Sequence, residues 1–323
     1  MPSPTKSIGP NARVAVLGAG AVGSYFGGML ARAGVNVTLI ARPAHVEAIR
    51  AGGLFLDTVS FQEHVKIEAS TEPSAARGAD VILFCVKTTD TESSARSLAP
   101  YIAPGAIVVS LQNGVDNAAR MREAAGIDAL SAVVYIAVAM PEPGHIKHLG
   151  RGELVVGELR GSAHLSEPPG SARTQRIASL FSSAGVPCQV SNYIEADLWS
   201  KFIFNCAGNA VTAIAQTSYA QAARNPESRE LMGRVIAETV AVARASGVQL
   251  PDEDLAEMMS FFQSSMGEAA TSSTAQDLAR GKRTEIDTLN GYVAGLGKKL
   301  GVATPANFAL YALVKLLEEK LVK

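Results

Sequence analysis

The sequence predicts an α/β chain in two parts, a doubly wound parallel sheet followed by an all-helical half. Three observations carry this reading. Short apolar runs alternate with helical stretches from residue 13 onward, strand signals stop near residue 192, and long helix-period patterns fill the remainder. Strands buried on both faces read as unbroken apolar runs, and helices between them supply the crossovers of repeated βαβ units.

Residues 14–17, 37–40, 81–86 and 107–111 are runs of this kind. Further β-rich stretches cover 132–139 and 153–157, and 161–171, rich in Gly, Ser and Pro, reads as a loop. Helices are expected over 194–214, 228–246, 252–266 and 285–300, with Pro251 and Pro305 near helix ends, where proline is tolerated. The change of texture places a domain boundary near Ser191, giving domains 1–191, with 1–12 as a flexible start, and 192–323. No internal repeat or low-complexity tract interrupts them.

A chain of 323 residues is too long for one ordinary domain and has capacity for two cores. Hydrophobic residues at 47% and charged residues at 18% exclude a disordered or fibrous protein. Lys and Arg number 29 against 30 for Asp and Glu, a net charge of −1, so no broad field draws the chain to nucleic acid or an anionic membrane. The expected partner is a small molecule met by local groups. No apolar run reaches membrane-spanning length, and 1–12 lacks the apolar core of a signal peptide. Cys85, Cys188 and Cys206 show no CxxC spacing, which fits a reducing, cytoplasmic setting.

The first strand runs into Gly18-Ala19-Gly20-Ala21-Val22-Gly23 and then straight into a helix ending near Gly34. Glycines there permit a tight turn, close approach of a pyrophosphate to the backbone, and close helix–strand packing; the helix N-terminus offers free N–H groups to the phosphate. The spacing alone is a weak signal. Its place between a strand and a helix, at the head of a βαβ unit, makes it a Rossmann-type dinucleotide site.

Cofactor choice is read at the end of the second strand, where an NAD enzyme carries Asp or Glu for the ribose 2′-hydroxyl. Here the strand ends Thr38-Leu39-Ile40-Ala41-Arg42, and the first acid, Glu47, comes too late. The Arg42 guanidinium can grip a 2′-phosphate, so the expected cofactor is NADP. Two more strand ends, Val86-Lys87-Thr88 and Gln112-Asn113-Gly114, face the same crevice, which makes Lys87 and Asn113 candidates for the ribose and nicotinamide end.

The helix from Ile194 is apolar on nearly every side beyond Trp199, yet Lys201, Asn205 and Asn209 recur at every fourth residue. Residues four apart stack on one face about 6 Å apart along the axis. Burying an ammonium and two carboxamides is costly without partners, so the stripe is expected to line a polar cleft. Hydride reaching a carbonyl carbon puts negative charge on oxygen, and a nearby acid must stabilise or protonate it. The five histidines, His45, His64, His145, His148 and His164, all lie in the first half at no catalytic or metal spacing, which leaves Lys201 and excludes a metal site. Farther on, the stretch from Thr284 to Asp287 reads as a capping box opening a helix. Capping does not account for Glu285 within it, which is a candidate to pair with Lys201 or a cofactor hydroxyl, and Ser273 is a candidate to hydrogen-bond a substrate carboxylate.

Together these motifs resemble the ketopantoate reductase (2-dehydropantoate 2-reductase) family, across nearly the whole chain. The carriers are the Gly18–Gly23 turn, Arg42, Val86-Lys87-Thr88, Gln112-Asn113-Gly114, Leu198-Trp199-Ser200-Lys201 with Asn205 and Asn209, and Ser272-Ser273 through Thr284-Glu285-Ile286-Asp287 to Asn290-Gly291. The resemblance implies a 6-phosphogluconate-dehydrogenase-like helical second domain and NADPH-dependent reduction of ketopantoate to pantoate in pantothenate biosynthesis. It further implies Lys201 as general acid and Glu285 as an orienting group. Asn113 would touch cofactor and substrate, Lys87 and Ala137 the cofactor, and Asn205, Asn209 and Ser273 the substrate.

The sequence departs from the pattern on the substrate side alone. Ala210 follows Asn209 where the family commonly has proline, and Tyr219 and Ala270 stand where well-known members carry asparagines. Thr274-Ala275 replaces a Met-Leu-like pair. Two alternatives therefore stay open, a reductase of another small 2-keto acid and a catalytically silent NADP-binding sensor. The second gives no reason to keep Lys201, Asn205, Asn209 and Glu285 together. Apolar residues from Phe261-Phe262 and near Leu310 to Leu321 could support a homodimer or simply pack a core.

Overall fold

The alternating apolar runs become a sheet whose neighbouring residues face opposite layers. The structure, a computed structural model, describes residues 12–159, 170–251 and 270–321. It divides into two compact units, Met1–Asp197 and Leu198–Lys323.

In the first unit β1 (Arg13–Leu17) leads through α1 (Ala21–Arg32) to β2 (Asn36–Ile40), and α2 (Pro43–Gly52) follows. Three short strands come next, β3 (Leu54–Asp57), β4 (Gln62–Val65) and β5 (Glu68–Ser70). Then come β6 (Val81–Phe84), α3 (Thr91–Leu98), β7 (Ile107–Ser110), α4 (Asn117–Ala125) and β8 (Leu130–Ala139). β9 (His145–Gly157), α5 (Ala172–Ser183) and β10 (Cys188–Val190) complete it. The sheet runs β4-β3-β9-β8-β7-β6-β1-β2-β5, with β10 pairing β9. From β5 to β8 every pairing is parallel.

The period of two is visible in the cores. Val14, Val16, Val81, Leu83, Ile107 and Val109 pack on one face with Phe26 and Leu30 of α1 and Ile177 and Phe181 of α5. Ala15, Leu17, Ile82, Phe84 and Val108 pack on the other with Ala95 of α3 and Met121 of α4. Both faces are covered, as unbroken apolar strands require.

Four strands and the first half of β9 lie outside the sequence expectation. β4 is an edge strand with three of its four residues exposed, and β5 is three residues long. Neither buries enough apolar side chain to leave a periodic signal.

The second unit is helical throughout its described residues. α6 (Ile194–Ala215) spans the division, followed by α7 (Tyr219–Arg224), α8 (Pro226–Ala245), α9 (Ser273–Ala279), α10 (Asn290–Leu300) and α11 (Pro305–Leu321). Ser218, Asn225 and Ser272 cap α7, α8 and α9 by accepting from Gln221, Ser228 and Ala275 N–H respectively. The Glu238 carboxylate on α8 caps α11 from afar, accepting from Ala306 N at 2.8 Å and Asn307 N at 2.9 Å. Asn290 Nδ2 donates to Cys206 O and to Asn307 Oδ1, both at 3.0 Å, tying α10 to α6 and α11.

The capping box expected from Thr284 to Asp287 is corrected. The helix begins at Asn290, and Ile286–Thr288 form a single 3₁₀ turn. Thr284 N and Oγ1 both donate to Glu318 at 2.7 Å, while Asp287 accepts from Tyr311 Oη and Lys315 Nζ. A buried carboxylate from α11 takes the groups that a local cap would use. The helix expected over 252–266, Phe261, Phe262, residues 161–169 and the first 11 residues lie outside the described residues.

Candidate active site

In the first unit the candidate residues gather along one edge of the sheet. β1, β2, β6, β7 and β8 run parallel in register, so their carboxyl ends share a side. Gly18 follows β1, Arg42 lies two residues beyond β2, and Lys87 and Asn113 each lie three beyond β6 and β7. Ala137, near the end of the longer β8, is exposed and pairs with Gly150 beside a register shift.

The three glycines serve different ends. Gly18 has φ +81°, and a Cβ there would lie 2.6 Å from Val86 N. Its own N–H and that of Ala19 both donate to Ile40 O at 3.0 Å, so β2 holds the turn. Gly23 lets α1 close on the sheet, since a Cβ would meet Val16 Cγ1 at 2.9 Å and Cys85 Cβ at 3.0 Å. Gly20 is another matter. Its φ of −82° suits any residue, and a Cβ would find no heavy atom nearer than Gly18 O at 4.0 Å. Neither backbone strain nor packing within the chain asks for glycine there. Ser24 N donates to Gly20 O as the first helical bond, which leaves the N–H groups of Ala21, Val22 and Gly23 at the open end of α1.

Arg42 is exposed as the N-cap residue of α2. Lys87 is exposed and Asn113 half-buried. Their loops are locked by side chains to which the sequence reading gave no role of their own. Thr88 Oγ1 and Asn117 Nδ2 donate to Asn113 O at 3.1 and 2.7 Å. Gln112 Nε2 donates to Val86 O at 3.1 Å and to Thr91 Oγ1 at 2.8 Å. Thr88, Thr91, Gln112 and Asn117 are all buried; Thr88 and Gln112 stand in the motifs that carry the family resemblance, whereas Thr91 and Asn117 signal only by polarity near apolar strand ends.

In the second unit Lys201, Asn205 and Asn209 share one face of α6, with Lys201 and Asn205 half-buried and Asn209 only 3% exposed. Buried Phe202, Ile203, Cys206 and Ala207 fill the flanks. Asn209 Oδ1 accepts from Tyr219 Oη at 2.7 Å, and burial pushes that phenol's pKa up.

Ser272, not Ser273, joins this cluster: its hydroxyl donates to Asn209 O at 3.1 Å and accepts from Thr212 Oγ1 at 2.8 Å. Ser273 is exposed as the first residue of α9. Glu285 is half-buried ahead of the 3₁₀ turn, and Ala270 O accepts from Tyr219 N at 3.0 Å.

Among the described residues no three His, Cys, Asp or Glu side chains form a metal-binding group, and no helix is long and apolar enough to cross a membrane. The three cysteines are free thiols. Burial raises all three, pushing Cys188 up to about 12, so none is a ready nucleophile.

The sequence matches the family described as ketopantoate reductase PanE/ApbA over residues 14–161 and its C-terminal part over 193–318. A 2-dehydropantoate 2-reductase of Halobacterium salinarum is 32% identical, over 95% of this chain and 99% of its own. That of Pyrococcus abyssi is also 32% identical, over 94% of this chain and 97% of its own. The crystal structure of a PanE/ApbA family ketopantoate reductase from Ralstonia eutropha JMP134 is 49% identical and superposes with a TM-score of 0.87, covering 96% of this chain and all of that one. The chain belongs to the ketopantoate reductase family.

Proposed function

We propose that the chain reduces 2-dehydropantoate to pantoate with NADPH, its first unit holding the cofactor and its second the keto acid. Family membership supports the reaction, and the geometry supports the division of labour. The observation that carries the chemistry is the polar stripe of half-buried Lys201 and Asn205 and buried Asn209 on a helix that is apolar on most other sides beyond Trp199.

The bound nicotinamide supplies the hydride. Gly20 leaves room for its pyrophosphate, the first turn of α1 offers N–H groups to it, and the exposed Arg42 guanidinium receives the 2′-phosphate. Lys87, Asn113 and Ala137 line the rest of the cofactor edge. Lys201 Nζ, as ammonium, stabilises the developing oxyanion and gives it a proton as the carbonyl carbon is reduced; the alcohol forms and the amine is left neutral. Glu285 orients the groups at the site. Asn205, Asn209 and Ser273 are the second unit's candidates for holding the substrate.

Lys201→Ala should lower kcat by about two to four orders of magnitude, the range for loss of a positioned acid, while NADPH affinity stays nearly intact. Nicotinamide absorbance with NADPH and ketopantoate reads this directly. Unchanged turnover removes Lys201 from its role. Arg42→Ala should weaken NADPH far more than NADH.

The Tyr219 hydroxyl on Asn209 favours a second reading, a reductase of a different small 2-keto acid, because it fixes which half of the carboxamide meets the substrate. A panel of 2-keto acids of graded size decides between them by kcat/KM. Exposed Phe308, Leu313 and Leu316 on one side of α11 support self-association as a homodimer, which sedimentation of the chain and of Leu313→Asp tests.

A further inference from the structure

The first unit holds a buried serine–histidine pair that the reaction does not use. Ser24, on the sheet-facing side of α1, is fully buried, and His45, on α2, is 4% exposed. Three contacts join them to each other and to the backbone on either side. Gly144 N lies 2.8 Å from His45 Nδ1, His45 Nε2 lies 2.9 Å from Ser24 Oγ, and Ser24 Oγ lies 3.1 Å from Ala19 O.

The chemistry of these groups allows one ordering only. A backbone N–H donates, so His45 Nδ1 is the acceptor and carries no proton. A carbonyl accepts, so the single hydroxyl proton of Ser24 goes to Ala19 O. The middle link must then be donated by His45 Nε2–H. A neutral imidazole in one tautomer results, and burial also lowers the pKa of His45.

The relay begins at a rigid point and ends inside the glycine turn. Gly144 has φ +82°, a Cβ there would lie 3.0 Å from Ala48 Cβ, and its carbonyl accepts from Phe55 N at 2.8 Å. Helical serines commonly bond back to a carbonyl three or four residues earlier, whereas the Ser24 hydroxyl reaches one residue farther, to Ala19 O. The Ala19 peptide is thus held on both sides, its N–H by Ile40 O and its carbonyl by Ser24. His45 also lies three residues beyond Arg42 on the first turn of α2, donating its N–H to Arg42 O at 3.0 Å. An apolar pair would fill this space without the cost of burying polar groups.

We propose that Ser24 and His45 are positioning residues that set the pyrophosphate turn and the Arg42 end of α2 in one fixed relation, so that the pyrophosphate and the adenosine 2′-phosphate of NADP are met together. This rests on the cofactor reading given above. Neither side chain touches the ligand; each acts through the backbone it holds.

Direct titration with NADPH, followed by nicotinamide fluorescence, tests it on the intact chain. Ser24→Ala and His45→Gln should each weaken NADPH about tenfold and raise its KM, with kcat at saturating NADPH changing less than threefold. Ser24→Cys, similar in size with a weaker donor, should fall between, and it replaces the alanine variant if that one does not fold. In an Arg42→Ala background the His45→Gln loss should shrink to about threefold or less, because the guanidinium it aims is gone. The imidazole nitrogens of His45 should report the Nε2–H tautomer by nuclear magnetic resonance.

Single variants that bind NADPH within twofold of the unaltered chain overturn the proposal, as do losses that multiply in full with Arg42→Ala. Failure of the unaltered chain to bind NADPH would instead overturn the cofactor reading, and this proposal with it.

Discussion

Gly18 and Gly20 are two residues apart and should fail in opposite ways when replaced. Alanine at position 18 takes on φ +81° and drives a methyl group against the Val86 backbone, so Gly18→Ala should destabilise the fold by several kcal/mol, more than the ~1–3 kcal/mol of backbone strain alone. Alanine at 20 strains nothing and meets open space. Gly20→Ala should melt within a few degrees of the unaltered chain while NADPH affinity drops at least tenfold. Thermal unfolding paired with cofactor titration separates the two; equal stability losses would remove the argument for Gly20. The glycine spacing and the kinds of role it serves were legible in the sequence, but the groups that impose them were not, because Val86 and Ile40 are brought from other strands. Asn209 teaches the same point. Its four-residue repeat with Lys201 and Asn205 could be read directly, whereas the phenol that meets it comes from α7, ten residues on. Tyr219→Phe frees the carboxamide to turn over. KM for the keto acid should rise severalfold with kcat nearly constant, and a change confined to kcat would place Tyr219 elsewhere in the cycle.

Elements are held in place by charges that close their ends. Glu158, just past β9, accepts from Arg173 Nε and from Ser171 Oγ at the start of α5, and Asp128 accepts from Arg173 too. Burial works against the Glu158 charge, but the hydrogen bonds from Arg173 and Ser171 and the nearby guanidinium outweigh it and hold the carboxyl below its ordinary range. A carboxylate lowered on folding adds stability that is complete above about pH 4.5 and is lost as pH falls through its folded value. Glu158→Gln should therefore cost about 2–3 kcal/mol at neutral pH, the range for a charged hydrogen bond, with the gap to the unaltered chain closing below about pH 4. Urea unfolding at several pH values checks this, and a gap that stays constant with pH would refute it.

Element type was legible where burial is two-sided. The runs that became β1, β2, β6 and β7 carry their own signal, but β4 and β5 are edge pieces whose partners lie elsewhere. The misplaced capping box shows the limit most plainly: Thr284 and Asp287 have the right local spacing, yet Glu318 and Lys315 on α11 claim them.

For the whole molecule, a change of texture near residue 192 was enough to separate sheet from helices, because parallel strands and buried helices differ in period whatever their partners. NADPH at a hundredfold excess over its Kd should add about 2.7 kcal/mol to the stability of whatever unfolds together with the first unit. Hydrogen exchange should then slow at residues 18–24 and 40–46 ahead of the helical half, and uniform slowing would count against a cofactor site confined to the first unit.

The distant cap on α11 has a consequence for synthesis. Domains fold as units in the order they are made, and every contact needed by β1 to β10 is present before α8 exists. The helical half enjoys no such head start. Glu238 waits for Ala306 and Asn307, Asn290 waits for Asn307, and Thr284 waits for Glu318. α11 thus completes the bundle, and a chain that stops before Ala306 should carry a finished sheet attached to helices that lack these closing contacts.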